Sequence, residues 1–413
     1  MTDSNHPSTD NTLIAIDIAK KSHDVLIARP QGKNKALKIP NTLAGYQQII
    51  NTSGRQPKHL IVAFEPTADY HRNIAYWLQA QGVQCFLVSS LASARTREML
   101  FGTWDKNDRK DASVILYLMQ QGLMQPFHDP LVNQFMDIQE LSNTYHQISI
   151  ARTRCQHSLV NHYLTLYFPE MEKHLNSTRA EWFCRFLLKF PTPRSITRYR
   201  KSTFVKRAWD IVGRKQFKQR FLEELYETAE TSIGLPIESN SLAVDTFKLQ
   251  LQRYFTLTLQ RSELEKSADN FLAERKDFQR LKTLPGVGSV IALMIIAESG
   301  DLKRFRHYRQ YLNFCGFNLS AVQSGSHNGN YKLSKRGNAR LRYAYWLAAT
   351  SAIRQRENSF RSKFERYIKR HPDDADLKRK ARVAAAAKMA RVAHAIVKQD
   401  VDYRGFYEFG CGT

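Results

Sequence analysis

The apolar residues of this chain change their spacing once, and that change limits how its core can be built. Residues 12–17 form an isoleucine-rich apolar run, residues 23–29 a second strand pattern after a short polar break, and residues 35–39, stopped by Pro40, a third. Strands separated by such short breaks predict an antiparallel meander. Residues 43–51 then read as helix, 59–65 (HLIVAFE) as a buried strand, 70–81 as helix, 83–88 as strand and 108–121 as an amphipathic helix. Three strands followed by alternating helices and strands predict a mixed sheet covered by helices, an α/β domain at residues 1–125. From residue 131 to 168 the period is helical. It is helical again over 242–278, where Leu249, Leu251, Leu259 and Leu264 recur among polar residues. These two stretches predict either an antiparallel helix pair or an oligomerising coil. The length of 413 residues suits two or three domains. The expected divisions are 1–125, a helical region 126–280 with a basic insertion at 169–240, and 281–413.

Charge narrows the possible partners. Lys and Arg number 62 against 38 Asp and Glu, a formal net charge of +24. A chain this basic points to a polyanion, because clustered cations gain affinity by releasing counterions from phosphate backbones. Residues 194–220 carry ten Lys/Arg against one acid, Asp210, interleaved with Phe204, Trp209 and Phe217. Cations to meet phosphates beside rings on which bases stack are what a nucleic-acid surface requires, although a solvated helix face has the same composition. Residues 302–342 contain nine Lys/Arg and no Asp or Glu, a run that repels itself unless it faces solvent or phosphate. The five cysteines are dispersed and form no CxxC pair, as in a reducing compartment. No run approaches the ~18 apolar residues of a membrane span, and residues 1–11 are polar without a signal-peptide core. A cytoplasmic protein without membrane contact is therefore expected.

Four carboxylates stand out by position. Asp17 ends one apolar strand and Glu65 ends another, places where a charge is costly unless a cation or several donors compensate it. Asp108 and Asp111, in KNDRKDAS, share one face of a predicted helix start. Hard oxygen ligands of this kind suit Mg²⁺, or Mn²⁺ in its place, and paired ions of that sort stabilise the attacking and leaving oxygens of a phosphoryl transfer. Each acid taken alone is equally well a helix cap, a dipole partner or a surface strand end. The four together in a basic α/β domain favour a metal site.

The third region opens with LPGVG at 284–288, in the form of a helix-hairpin-helix turn. Gly286 and Gly288 there would let backbone N–H groups approach a phosphate. Downstream come QSGS at 323–326, SKRGN at 334–338 and RLR at 340–342. Lys335, Arg336, Asn338, Arg340 and Arg342 are candidate nucleic-acid contacts. A serine hydroxyl is a weak nucleophile until a base or metal activates it, and spacing alone leaves Ser320, Ser324, Ser326 and Ser334 as competitors.

The order IAIDIAK, FEPTADYH, KNDRKDA, LPGVG, QSG and SKRGNARLR resembles the DEDD transposases of insertion sequences. That family includes Piv-type DNA invertases and bridge-RNA-guided recombinases. The resemblance covers residues 12–121 and 281–349. It implies a RuvC-like, RNase H-fold N-terminal domain, a helical coiled-coil middle region and a mostly α C-terminal transposase domain. It also implies a DEDD metal site at Asp17, Glu65, Asp108 and Asp111, and a nucleophilic serine matching Ser324. The partners implied are double-stranded DNA at donor and target sites, a structured non-coding guide RNA, and further copies of the chain in a dimer or tetramer. Two departures stand beside these matches. Asn107 precedes the first Asp where many relatives carry Thr, and residues 168–235 match no family motif. Two other functions remain open on the residues: a metal-dependent nuclease or junction resolvase in which water attacks, and a nucleic-acid-binding regulator without catalysis.

Overall fold

The computed structural model describes residues 10–102, 108–128, 135–175, 180–212, 218–238, 240–320, 323–324, 327–328, 332–356 and 358–403. The chain divides into two compact units, Met1–Asn133 and Gln134–Thr413. Among the described residues no helix is long and apolar enough to cross a membrane.

The first unit is built on a six-stranded mixed sheet. Strands β1 (Thr12–Ile18), β2 (Ser22–Ala28) and β3 (Lys35–Pro40) form the expected antiparallel meander, and β4 (Leu60–Phe64) and β5 (Gln84–Leu87) follow in alternation with helices. The two-residue strand β6 (Gln125–Pro126) closes the order β3-β2-β1-β4-β5-β6. β1 pairs antiparallel with β2 and parallel with β4, so the centre of the sheet is where its direction changes. Helices α1 (Leu43–Ser53), α2 (Tyr70–Ala80) and α4 (Asp108–Gln120) lie close to the expected ranges. Helix α3 (Ser90–Phe101) is absent from the sequence reading. Its apolar residues Leu91, Met99 and Leu100 are exposed and its buried positions are Ser93 and Thr96, so no apolar stripe marks it.

Alternation along the strands separates two apolar layers. Ile14, Ile16, Ile18, Val62 and Phe64 pack with Tyr46, Ile74 and Leu78 on one face. Ala15, Ile61 and Ala63 pack with Val114, Ile115 and Leu118 of α4 on the other. The small side chains of the second face let α4 lie close over β1 and β4.

The second unit is helical. The helices Met136–Ser158 and Leu242–Leu272 run antiparallel within one chain, the first of the two expected arrangements. Tyr145 donates to Glu265 at 3.0 Å near one end, and Arg152 donates to Tyr254 at 2.8 Å and Thr258 at 3.0 Å further along. Around them lie two apolar cores. One is rich in aromatics, with Phe168, Phe183, Phe186, Phe190, Phe204 and Phe247 fully buried. The other surrounds the helix Ser289–Ser299, apolar on all sides, against the helices Ala339–Arg354 and Ala375–Gln399. At about 1.5–3 kcal/mol for each fully buried large apolar side chain, these cores supply the main stabilising contribution.

Candidate nucleic-acid-processing sites

Asp17 and Glu65 stand at the same level of the sheet. Ile16 is in register with Phe64 on the neighbouring parallel strand, so the next residues, Asp17 and Glu65, come side by side at the carboxyl ends of β1 and β4. Asp17 has the parity of Ala15 and therefore takes the face that α4 covers, and Glu65 directly follows the last residue of β4. Asp111 lies on α4, one turn before Ile115, and is buried. Asp108 is the first residue of α4, and its side chain lies outside the described residues. The fold thus brings Asp17 and Asp111 to one face, with Glu65 just beyond the neighbouring strand end, where ligands of open α/β sheets bind.

Two further charged groups there went unrecognised in the sequence. Asp24 is the register partner of Asp17 across β1 and β2, and it is bridged by Lys38 at 3.3 Å. Arg97 of α3 turns both Nε and Nη2 onto Oδ1 of Asp111, each at 2.6 Å. The oxygen donors are of the kind a hard divalent ion takes. Among the described residues, however, no three His, Cys, Asp or Glu side chains are gathered closely enough to hold a metal, and Asp111 is engaged by Arg97.

In the second unit the LPGVG segment joins the helices Lys276–Lys282 and Ser289–Ser299, with Leu284 and Val287 turned into the core. Gly286 has φ +82°, and a Cβ there would overlap the Ala348 carbonyl oxygen and the Ala352 amide nitrogen. Its lack of a side chain serves close packing against the Ala339–Arg354 helix. Gly288 has open space around it and caps the Ser289–Ser299 helix.

Ser324 belongs to a two-residue strand, Gln323–Ser324, paired with His327–Asn328 so that Ser324 is opposite His327. The motif reading had not singled out His327. Leu319–Ser320 and Lys332–Leu333 pair outside this ladder. The side chains of Ser320 and Ser324 lie outside the described residues, as does Ser326 altogether. Ser334 accepts the Arg336 N–H at 3.4 Å.

The residues of SKRGNARLR divide into two sorts. Lys335 and Arg336 are exposed. Gly337, Asn338, Arg340 and Arg342 are instead engaged with neighbouring helices and with the backbone around the start of the helix Ala339–Arg354. Gly337, at φ +120°, sits where a Cβ would strike the Asn313 and Phe314 carbonyl oxygens. Asn338 accepts from the Leu341 N–H at 2.9 Å and donates to Glu298 at 2.7 Å. Arg340 pairs with Glu298 at 3.0 Å and donates to Asn143 at 2.5 Å. Arg342 reaches the Lys335 carbonyl at 3.3 Å.

The basic segment 194–220 is less bare than its composition implies. Arg194 pairs with Glu238 at 2.7 Å, Lys201 with Glu227 at 2.7 Å and Arg220 with Glu224 at 3.1 Å. Phe204 is a core residue, Trp209 is exposed beneath Lys218, and Phe217 lies outside the described residues.

Comparison with known proteins bears on both ends of the chain. Residues 14–169 match the family of DEDD transposases of the IS110 type, described as "Transposase". Residues 278–365 match a second family, "Transposase IS116/IS110/IS902 family". The two segments together make up more than half of the chain. The chain belongs to the IS110/IS116 transposase family. Among relatives of this transposase family, the transposase for insertion sequence element IS1111A of Coxiella burnetii is 29% identical over 45% of this chain and 50% of its own length. The insertion element IS116 uncharacterized 44.8 kDa protein of Streptomyces clavuligerus is 24% identical over 83% of this chain and 85% of its own length. The transposase for insertion sequence element IS1328 of Yersinia enterocolitica is 32% identical over 22% of this chain and 27% of its own length. The chain thus spans about half the length of the Coxiella relative. Asp17, Glu65, Asp108 and Asp111 fall within the first matched segment, and Gly286, Gly288, Ser324, Lys335, Arg336, Asn338, Arg340 and Arg342 within the second.

Proposed function

We propose that this protein is an insertion-sequence transposase that cuts and rejoins DNA through a phosphoserine intermediate formed by Ser324. Asp17, Glu65, Asp108 and Asp111 would hold Mg²⁺, or Mn²⁺ in its place. The observation that carries the acidic half is the position of Asp17 and Glu65 at the carboxyl ends of neighbouring parallel strands, with Asp111 on the helix that packs over them, inside the family-matched segment. The strand order, with a three-stranded meander continued by two parallel strands, supports a RuvC-like, RNase H-fold reading of this unit.

In this reading the Ser324 hydroxyl attacks the scissile phosphorus, a phosphorus–oxygen bond to deoxyribose breaks, and the proton lost by serine ends on the departing sugar oxygen. A hydroxyl from the strand to be joined then attacks the phosphoserine and releases the serine, so no bond energy is spent on water. A divalent ion at the acids, when bound, would neutralise charge at the phosphate and favour the serine alkoxide. Lys335 and Arg336, both exposed, would position phosphates, while Asn338, Arg340 and Arg342 fix the start of the helix Ala339–Arg354 that follows the serine-bearing segment. The partners are duplex DNA at donor and target sites and a structured non-coding guide RNA, with the net charge of +24 in support, and the active assembly is a dimer or tetramer.

The test is a trapping experiment on a nicked duplex substrate supplied with Mg²⁺ and the RNA that co-purifies with the protein. Wild type should yield a covalent protein–DNA adduct, and Ser324→Ala none. Asp17→Asn should lose at least a thousandfold in adduct formation while still binding DNA. Cutting that persists in Ser324→Ala but vanishes in Asp17→Asn would instead establish water as the nucleophile. Recovery of only random RNA fragments from the purified protein would remove the guide.

A further inference from the structure

The helices Ser359–Ile368 and Ala375–Gln399 enclose an open cleft of about 590 Å³ between them. Lys363 and Arg366 line it from the first helix, Lys388 and Arg391 from the second, and Ser362 and Tyr367 add hydroxyls. No Asp or Glu is among the described residues that line it. The acids near it in sequence are engaged elsewhere, Glu365 with Arg361 at 2.7 Å and Asp376 with Arg379 at 2.7 Å and Lys380 at 2.9 Å. Arg366 and Arg391 are exposed and Lys363 is half-buried. Burial and the three neighbouring cations Arg391, Lys388 and Arg366 push the Lys363 ammonium below the ordinary lysine range.

Convergence of four like charges on one cleft works against the fold, since each approach costs Coulomb energy that no carboxylate among the described lining residues returns. One of the four has a structural partner. Lys388 donates to the Ser359 carbonyl at 3.1 Å and so ties the two helices together. Arg391 lies over the Tyr308 ring, 5.9 Å from its centroid. Among the described residues no carboxylate pairs with Lys363, Arg366 or Arg391, and an anion seated among them would turn the mutual repulsion into attraction.

We propose that this cleft binds the phosphate backbone of duplex DNA and gives the chain an anchoring point outside both the acidic site and the serine-bearing segment. The lining favours the duplex over single-stranded RNA. Among the described residues that line it, it presents cations and hydroxyls, which hold phosphates without reading sequence, and one ring, Tyr367, where unstacked bases require a series of them. The proposal rests on the nucleic-acid reading above only for the identity of the polyanion.

The experiment is the salt dependence of full-length protein binding to a random-sequence duplex, read by fluorescence anisotropy between 50 and 200 mM NaCl. Lys363→Gln/Arg366→Gln should lower the slope of log affinity against log salt by about 2, at roughly 0.9 for each phosphate that is no longer neutralised. Across that fourfold range of salt, wild type should lose about tenfold more affinity than the variant. Lys363→Arg/Arg366→Lys keeps the charge and should keep the wild-type slope, which separates an effect of charge from an effect on folding. Arg379→Gln/Lys380→Gln removes the same amount of charge from the second helix, at residues already paired with Asp376, and should leave the slope nearly unchanged. Equal slopes for wild type and Lys363→Gln/Arg366→Gln would overturn the proposal, and so would a change seen with single-stranded RNA but not with duplex. Adduct formation by Ser324 is a separate readout, so failure of the cleft and failure of the proposed chemistry are told apart.

Discussion

Asp111 is the acid whose surroundings have the clearest energetic consequence. Its carboxylate and the Arg97 guanidinium are held at 2.6 Å with side chains only 11% and 13% exposed. Removing either partner strands the other charge in a poorly solvated place, at a cost of about 3–5 kcal/mol, whereas replacing both by apolar groups is close to neutral. Asp111→Leu and Arg97→Met should therefore each lower the unfolding free energy by about 3 kcal/mol, measured by urea denaturation. The double variant Arg97→Met/Asp111→Leu should recover most of that loss. A double variant that loses the sum of the two single losses would show that the residues do not act as a pair. The same ion pair bears on the metal reading, because an ion taking the Asp111 carboxylate must compete with Arg97 for it.

At the scale of elements, the helices of the second unit owe their spacing to where side chains are missing. Gly286→Ala would force a Cβ into the Ala348 and Ala352 backbone at φ +82°, whereas Gly288→Ala meets nothing within 4 Å. The first should lower stability by about 2–3 kcal/mol and the second by less than about 0.5 kcal/mol, both read by thermal unfolding. Equal losses would mean that the segment does not depend on this close approach. Neither glycine's role follows from LPGVG itself, since the motif is equally compatible with a phosphate-facing turn and with a packed one. The helix against which Gly286 packs lies some sixty residues further along the chain. The meander and the alternation after it were legible because period-2 apolar runs end at polar breaks and at Pro40. Helix α3 was not legible, since Ser93 and Thr96 are what it buries, and with it went the ion pair between Arg97 and Asp111. The acids at the strand ends were legible as charges at the close of apolar runs. Asp24 was not, because only the β1–β2 register puts it beside Asp17. For the basic segment 194–220, composition overstated the free charge, as Glu224, Glu227 and Glu238 fold back onto it from beyond its end.

For the whole molecule, the excess of positive charge and two buried histidines act together as pH falls. His23 in the first unit and His394 in the second are both buried, and burial is the main cause that lowers each below the ordinary histidine value of 6.5. His394 lies 3.0 Å from the Phe305 carbonyl, an arrangement that favours the charged form but does not outweigh desolvation. Where the folded state depresses the pKa of a cationic group, the unfolded chain takes up the proton first. The group's contribution to stability is intact above about 6.5 and is lost as pH drops from there towards the folded value. Protonation of exposed members among the 13 histidines adds to a formal charge that is already +24, so self-repulsion grows over the same interval. Tm should accordingly fall between pH 7.5 and 5.5, and His23→Leu should make that fall shallower. Duplex DNA, by neutralising the added charge, should raise Tm more at pH 5.5 than at 7.5, because electrostatic binding strengthens with each proton gained and stabilises whichever state binds it. Scanning fluorimetry at low salt with and without a random-sequence duplex measures both effects. A Tm that is flat or rises towards pH 5.5 would show that neither the buried histidines nor the net charge governs stability. A DNA-induced gain independent of pH would place the binding energy in interactions other than charge.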